Sequence, residues 1–220
     1  MPKVSPVSVR EVRVQAAEVT LEGSLAIPSG APGIVVFAHG SGSSRLSPRN
    51  RFVAEFFNEG GLATLLFDLL TGAEHVIDER TRALRFDIAL LGRRLTGAVD
   101  WLASQPETQT LRIGLFGAST GAAAALIAAA ERPGCVAAVV SRGGRPDLAM
   151  AALHRVKAPT LLVVGGLDAP VIQMNRDAAA RLHVEHRIEI VAGATHLFEE
   201  PGKLEVVARL ARDWFTRHLE

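Results

Sequence analysis

A serine, an aspartate and a histidine stand in this chain in the order that nucleophilic catalysis on a parallel sheet requires. Ser119 lies in Gly117-Ala118-Ser119-Thr120-Gly121, a G-x-S-x-G pentapeptide. That motif has meaning where a strand precedes it and a helix follows. The apolar run 111–116 reads as the strand and the alanine-rich stretch 120–131 as the helix. A nucleophile on so tight a turn holds a strained backbone, and its neighbours two residues away pack close together. Glycine at both positions removes the Cβ atoms that would collide. The turn lifts the hydroxyl off the sheet, and the helix start favours negative charge developing beside it. The plainer alternative makes Ser119 a helix N-cap and the glycines an ordinary turn.

A hydroxyl nucleophile needs a base, and the base needs an orienting acid, in the chain order serine, acid, histidine. Asp168 follows the apolar run 160–164 through Gly165-Gly166-Leu167, and His196 follows 188–191 through Ala192-Gly193-Ala194-Thr195. Each lies just past the end of its own expected strand, as Ser119 does. The alternatives are a helix N-cap role for Asp168, before Ala169-Pro170, and an idle loop histidine at 196. Asp147 is a weaker candidate for the acid, and Asp177 falls mid-helix on a solvated face.

Acyl transfer also needs donors for a tetrahedral oxyanion. The N–H of Thr120, next to the nucleophile, is one candidate. The N–H of Ser41, in His39-Gly40-Ser41-Gly42-Ser43-Ser44-Arg45, is the other. His39 is expected to support that loop by hydrogen bonding. The same loop also fits the layout of a dinucleotide site, with Asp68 ending the next strand. However, Gly40-x-Gly42 lacks the third glycine, Arg45 standing in its place, and no phosphate-binding GxxxxGK[ST] occurs.

These residues need a frame that brings three strand ends together. Alternating stretches around Val7–Val14 and Val19–Ile27, the second broken at Gly23, read as an antiparallel sheet edge. After the turn at 29–33, solidly apolar runs at 34–38, 63–67, 111–116, 136–140, 160–164 and 188–191 alternate with amphipathic stretches. Runs of that kind suit strands buried on both faces. Leu84, Ile88, Leu91, Leu95, Val99 and Leu102 fall on one face of one long helix. The expectation is an α/β fold: about eight strands, mostly parallel, helices on both faces, in a single domain over 1–220. In such sheets ligands bind at the carboxyl ends of the strands.

Composition agrees. Of 220 residues 48% are hydrophobic, enough for a sizeable core. The formal net charge of +1 argues against a nucleic-acid groove or an anionic membrane partner. The single Cys135 rules out an intrachain disulfide. The N-terminal stretch MPKVSPVSVREVRV lacks the apolar run of roughly 7–15 residues that a signal peptide needs. A soluble cytoplasmic protein is expected. The histidines show no metal-like spacing, so neither metal nor cofactor is expected.

HGSGSS, GASTG, GGLDAPV and GATHLFEEPG, in that order, resemble the α/β-hydrolase fold, and its dienelactone-hydrolase-like branch in particular. The resemblance runs from about Ala16 to the end of the chain. SPRNRFVAEFF, SRGGRPDLA and HLFEEPG are similar to small bacterial members, some of them fused to a phosphoribosyltransferase domain; none is expected here. The resemblance implies Ser119 as nucleophile, His196 as base, Asp168 as orienting acid, and Ser41 and Thr120 as oxyanion donors. One departure stands out. Dienelactone hydrolases proper carry cysteine at the elbow, and Cys135 lies beyond the helix. A serine esterase acting on small or medium esters is therefore expected, rather than an enzyme for dienelactone itself. A slow hydrolase-like binding protein and an acyltransferase are the alternatives.

Substrate selection leaves fainter marks. Only 141–158 separates two expected strands, room for a loop and one short helix but not for a cap domain. The charged stretch 69–85 either covers the site or runs as a solvated loop into the long helix. Arg142 and Arg145, just past a strand end, could hold a substrate carboxylate or phosphate through paired hydrogen bonds, or could pair with Asp147.

Overall fold

The computed structural model describes residues 7–220; the sequence reading of residues 1–6 lies outside them. Eight strands form one sheet in the order β1-β2-β4-β3-β5-β6-β7-β8. They are β1 (Val9–Ala16), β2 (Val19–Ala26), β3 (Gly33–Ala38), β4 (Ala63–Phe67), β5 (Arg112–Ala118), β6 (Val136–Arg142), β7 (Thr160–Gly165) and β8 (His186–Val191). β1 and β2 form the expected antiparallel edge, and β2 is antiparallel to β4. Every pairing from β4 to β8 is parallel. β3, β4 and β7 are buried at every residue, which is why their sequences are solidly apolar.

The helices are α1 (Pro48–Glu59), α2 (Gly72–Thr81), α3 (Ile88–Ser104), α4 (Thr120–Glu131), α5 (Ala169–Ala179) and α6 (Lys203–Leu219). Side chains of α3, α4 and α5 pack on one face of the sheet, with Leu91, Leu95, Leu115, Ala123 and Ala178 in one core. α1 and α6 cover the other, where Phe37, Phe57, Phe116 and Phe215 form a connected aromatic cluster. Among the described residues no helix is long and apolar enough to cross a membrane.

Four details differ from the sequence expectation. Gly23 does not break β2: it pairs with Val12, and a Cβ there would stand 3.1 Å from a methyl of Val12 and one of Val14. Leu84 is not on α3. It begins a separate 3-10 turn (Leu84–Phe86), because the Asp87 side chain caps Leu90 N–H and starts the helix afresh. The stretch 69–85, expected as a cover or a solvated loop, contains α2, nucleated by a capping box between Thr71 and Glu74. The segment 141–158 holds two 3-10 turns, Pro146–Ala149 and Leu153–Arg155, in place of one short helix.

Candidate active site

Ser119 occupies a strained turn between β5 and α4. Its φ of 51° and ψ of −119° put an L-residue in a region that only a tightly constrained chain retains. The flanking glycines permit this. A Cβ on Gly121 would lie 2.2 Å from the carbonyl oxygen of Ala38, and one on Gly117 would lie 2.4 Å from Cα of Ala122. Ser119 makes no side-chain capping bond, so the N-cap alternative does not describe it. Its residue is part-buried, with the hydroxyl turned toward the loop after β8.

That loop brings in His196. Nδ1 stands 2.7 Å from Oδ2 of Asp168, and Nε2 stands 3.4 Å from the Ser119 hydroxyl. A carboxylate accepts, so Nδ1 carries the proton and Nε2 is left as the acceptor facing Ser119. Asp168 makes no capping bond at the start of α5, leaving its carboxylate to the histidine. Two bonds tie the loops together: Gly166 N–H to the Val191 carbonyl at 2.9 Å and Leu167 N–H to the Ala194 carbonyl at 2.9 Å. Thr195 N–H donates to both carboxylate oxygens of Glu200 at 3.1 Å, fixing the residue before His196. This contact holds the Glu200 carboxyl below the usual range. The other acids are engaged elsewhere: Asp147 with Arg145, and Asp177 with Gln173.

The loop after β3 runs beside the elbow. A Cβ on Gly40 would meet the Ala118 carbonyl and Ser119 Cβ, each at 3.2 Å. Glycine is thus what lets the Gly40–Ser41 peptide pass next to Ser119. His39 pins that peptide. Its Nε2 accepts the N–H of Leu69 at 3.1 Å, so Nδ1 bears the proton and donates to the Gly40 carbonyl at 3.0 Å. Ser43 N–H donates to the same carbonyl at 3.2 Å. Holding a carbonyl on one side of a peptide plane aims the following N–H, that of Ser41, to the other side. Burial pushes the His39 pKa down, which keeps the ring neutral. Asp68 completes the brace, accepting from Arg45 N–H at 2.7 Å and from its guanidinium at 2.9 Å.

Thr120 is buried at the first position of α4, and its N–H donates to no carbonyl among the turn and cap bonds of the described residues. The same holds for the exposed Ser41. On the far side of the β3 loop, the Arg85 guanidinium is held by Asp78 and packs against Gly42, 3.0 Å from where a Cβ would be. The segment 69–87 therefore buttresses the loop. Its sequence signal, T-x-x-E at Thr71 and Glu74, was present and is a helix start.

The two arginines after Ser141 part company. Arg145 gives both prongs of its fork to Asp147, at 2.9 and 2.8 Å. Arg142 is 7% exposed and makes no ion pair among the described residues. No group of three or more potential metal-ligating side chains gathers among the described residues.

A family profile described as the dienelactone hydrolase family matches residues 21–220. A crystal structure of a dienelactone hydrolase from Anabaena variabilis is 62% identical, covers 98% of this chain and 100% of its own, and superposes with a TM-score of 0.97. The chain belongs to the dienelactone hydrolase family. More distant structures share the family fold. A dienelactone-hydrolase-like promiscuous phosphotriesterase from metagenomic libraries is 21% identical, with a TM-score of 0.77 over 97% of this chain and 99% of that one. An esterase from Pyrococcus furiosus is 18% identical, with a TM-score of 0.77 over 97% and 94%. Two Mycobacterium tuberculosis proteins provisionally named phosphoribosyl transferases are 57% identical over 214 residues, 97% of this chain and 47% of theirs. The chain thus spans about half the length of these curated relatives.

Proposed function

We propose that this member of the family is a serine hydrolase that cleaves small or medium carboxylic esters through an acyl-enzyme. One observation carries the proposal: the unbroken contact series from Asp168 through His196 to a hydroxyl held on a strained elbow. His196 Nε2 takes the proton of Ser119 as the oxygen attacks the ester carbonyl. The new oxyanion accepts from the N–H groups of Ser41 and Thr120, at the start of the helix whose dipole favours it. Protonated His196 is stabilised by Asp168 and gives its proton to the leaving alcohol. Water, deprotonated by the same nitrogen, then releases the acid and restores Ser119. The 3.4 Å separation of Nε2 and Oγ is of the long kind that closes when substrate binds.

Esterase and phosphotriesterase names among structures of this fold fit attack by an activated oxygen on an electrophilic carbonyl or phosphoryl centre. The transferase name of the half-matched relatives we assign to the portion of them that this chain does not span. The test is turnover of a panel of aryl esters of rising acyl length by the wild type and Ser119→Ala. Loss of turnover in the variant supports the proposal; full retention refutes it. Faster product formation with added alcohol than in water would move the assignment to acyl transfer. Tight ligand binding without turnover would move it to a binding protein.

A further inference from the structure

Ser119 is gripped through both of its peptide groups by the segment that leaves β6. Its N–H donates to the Arg142 carbonyl at 3.2 Å, and its carbonyl accepts the N–H of Arg145 at 3.1 Å. The same carbonyl takes the Ala122 N–H at 3.1 Å, a bond of the first turn of α4. The Arg145 N–H belongs to the Gly144–Arg145 peptide, whose carbonyl lies on the opposite side of the same plane. That carbonyl is itself held. Nδ2 of Asn175 donates to it at 3.1 Å, from a helix thirty-one positions further along the chain.

Asn175 lies on α5 and is fully buried. Its other Nδ2 proton goes to the Val171 carbonyl at 2.8 Å, one turn back on the same helix. Both amide protons are thus used, which fixes the amide's orientation, and Oδ1 is left buried without a partner. An acceptor left so costs free energy. The Gly144 peptide has little room to settle elsewhere: a Cβ on Gly144 would stand 2.6 Å from that of Ala122. One residue earlier, the Gly143 N–H is tied to the Val163 carbonyl at 2.8 Å.

Taken in order, the bonds form one chain. Asn175 donates to the Gly144 carbonyl, and Arg145 N–H, across that peptide, donates to the Ser119 carbonyl. Across the Ser119–Thr120 peptide stands the N–H of Thr120. A peptide is planar, so a carbonyl fixed on one side aims the N–H on the other. Each bond also polarises the next. The last N–H of the chain is the one assigned to the oxyanion.

We propose that Asn175 is a positioning residue for the oxyanion site, aiming the Thr120 N–H through two intervening peptide groups. The inference rests on the ester-hydrolase reading and deepens it. Asn175 meets Gly144 and Val171, not the reacting atoms. Through it, the helix that Asp168 opens is joined to the turn that carries Ser119.

The experiment measures aryl-ester turnover together with inhibition by a trifluoromethyl ketone, whose tetrahedral adduct carries an oxyanion. Asn175→Leu removes the donor and keeps the bulk. It should lower kcat by about 5- to 50-fold with KM little changed, short of the roughly 10²–10³ for losing an oxyanion donor outright. The Ki of the ketone should rise in step with the loss in kcat/KM. Tm should fall too, because the Gly144 carbonyl loses its donor. A merely structural residue would lower Tm alone. Kcat and Ki within about twofold of wild type, at a temperature where the variant is folded, would overturn the proposal and leave the hydrolase standing. If Asn175→Leu does not fold, by circular dichroism, Asn175→Asp decides. It has the same shape, and its carboxyl donates only while protonated. Its kcat relative to wild type should be depressed, and more so as pH rises; a ratio near one from about pH 5 to 9 would overturn the proposal. A wild type that cleaves no ester would sink the hydrolase. The chain would then be read by amide hydrogen exchange, faster at Arg145 in Asn175→Leu than in wild type. Equal exchange there would overturn the chain as well.

Discussion

The two regions flanking Ser119 are held in opposite ways. After β3, the chain is braced from two sides by side chains. His39 joins the Gly40 carbonyl to the Leu69 N–H, and Asp68 takes both the backbone and the guanidinium of Arg45. At the end of β6, the Arg142 guanidinium is buried and its Nη1 has no hydrogen-bond partner among the described residues. Bracing of that kind after β3 is what a preformed oxyanion site needs, because donors that are already oriented cost no reorganisation when charge appears. One side of Ser119 is braced by side-chain bonds, and the other carries a buried guanidinium that is only partly bonded.

If both regions serve one nucleophile, removing its hydroxyl should erase what either contributes. Ser119→Ala should reduce kcat on aryl esters by about 10⁴-fold or more. The measurement is initial rate, with stopped-assay controls for contaminating esterase. A smaller effect would break the comparison at its root.

The frame is tested next, at His39. His39→Leu leaves the Leu69 N–H buried without an acceptor and frees the Gly40–Ser41 peptide. It should lower kcat by about 10- to 100-fold with KM little changed, short of the full loss of one oxyanion donor. His39→Gln offers an amide N–H and oxygen in the same places and should recover much of it. If Leu and Gln behave alike, the peptide is not aimed by residue 39.

The other side is sharpened by the contrast between two arginines three positions apart. Arg145→Met breaks a part-exposed pair with Asp147 and should alter turnover of any ester by less than about threefold. Arg142→Met puts an apolar chain in place of a buried guanidinium and should leave Tm unchanged or raise it, read by thermal denaturation. Indistinguishable variants would remove the distinction drawn from their bonding.

A smaller effect is expected in stability against pH. Burial lowers the pKa of His39 from its ordinary 6.5. Below that value the unfolded chain binds a proton that the folded chain resists. Stability from the neutral ring is therefore fully present above about pH 6.5 and is lost as pH falls toward the folded pKa. Thermal denaturation of His39→Gln should show a flatter slope than wild type in that window. Parallel slopes would mean the ring is not held neutral.

Much of this was legible in the sequence, and unevenly so. The strands that frame the site announce themselves because burial on both faces forces continuous apolar runs, as in Ile34-Val35-Val36-Phe37-Ala38. The elbow is legible because no residue but glycine fits at 117 and 121. The orders of Ser119, Asp168 and His196 follow from topology. Long-range contacts are a different matter. Nothing local says that His39 reaches Leu69, thirty positions on. Leu84 shares the apolar period of α3, and only the cap made by Asp87 separates them. The capping box at Thr71 and Glu74 was in plain view, masked by the charge of its segment. Arg142 and Arg145 look equivalent as residue types. Strand parity buries the first, and a neighbour two residues on claims the second.

The central claim is that the hydroxyl at 119 is the group made nucleophilic by His196. Intact-mass analysis after brief exposure to a fluorophosphonate tests it most directly. One adduct should form on the wild type, map by peptide sequencing to Ser119, be absent in Ser119→Ala and form far more slowly in His196→Ala. An adduct of equal extent on Ser119→Ala, or labelling indifferent to the loss of His196, would contradict it.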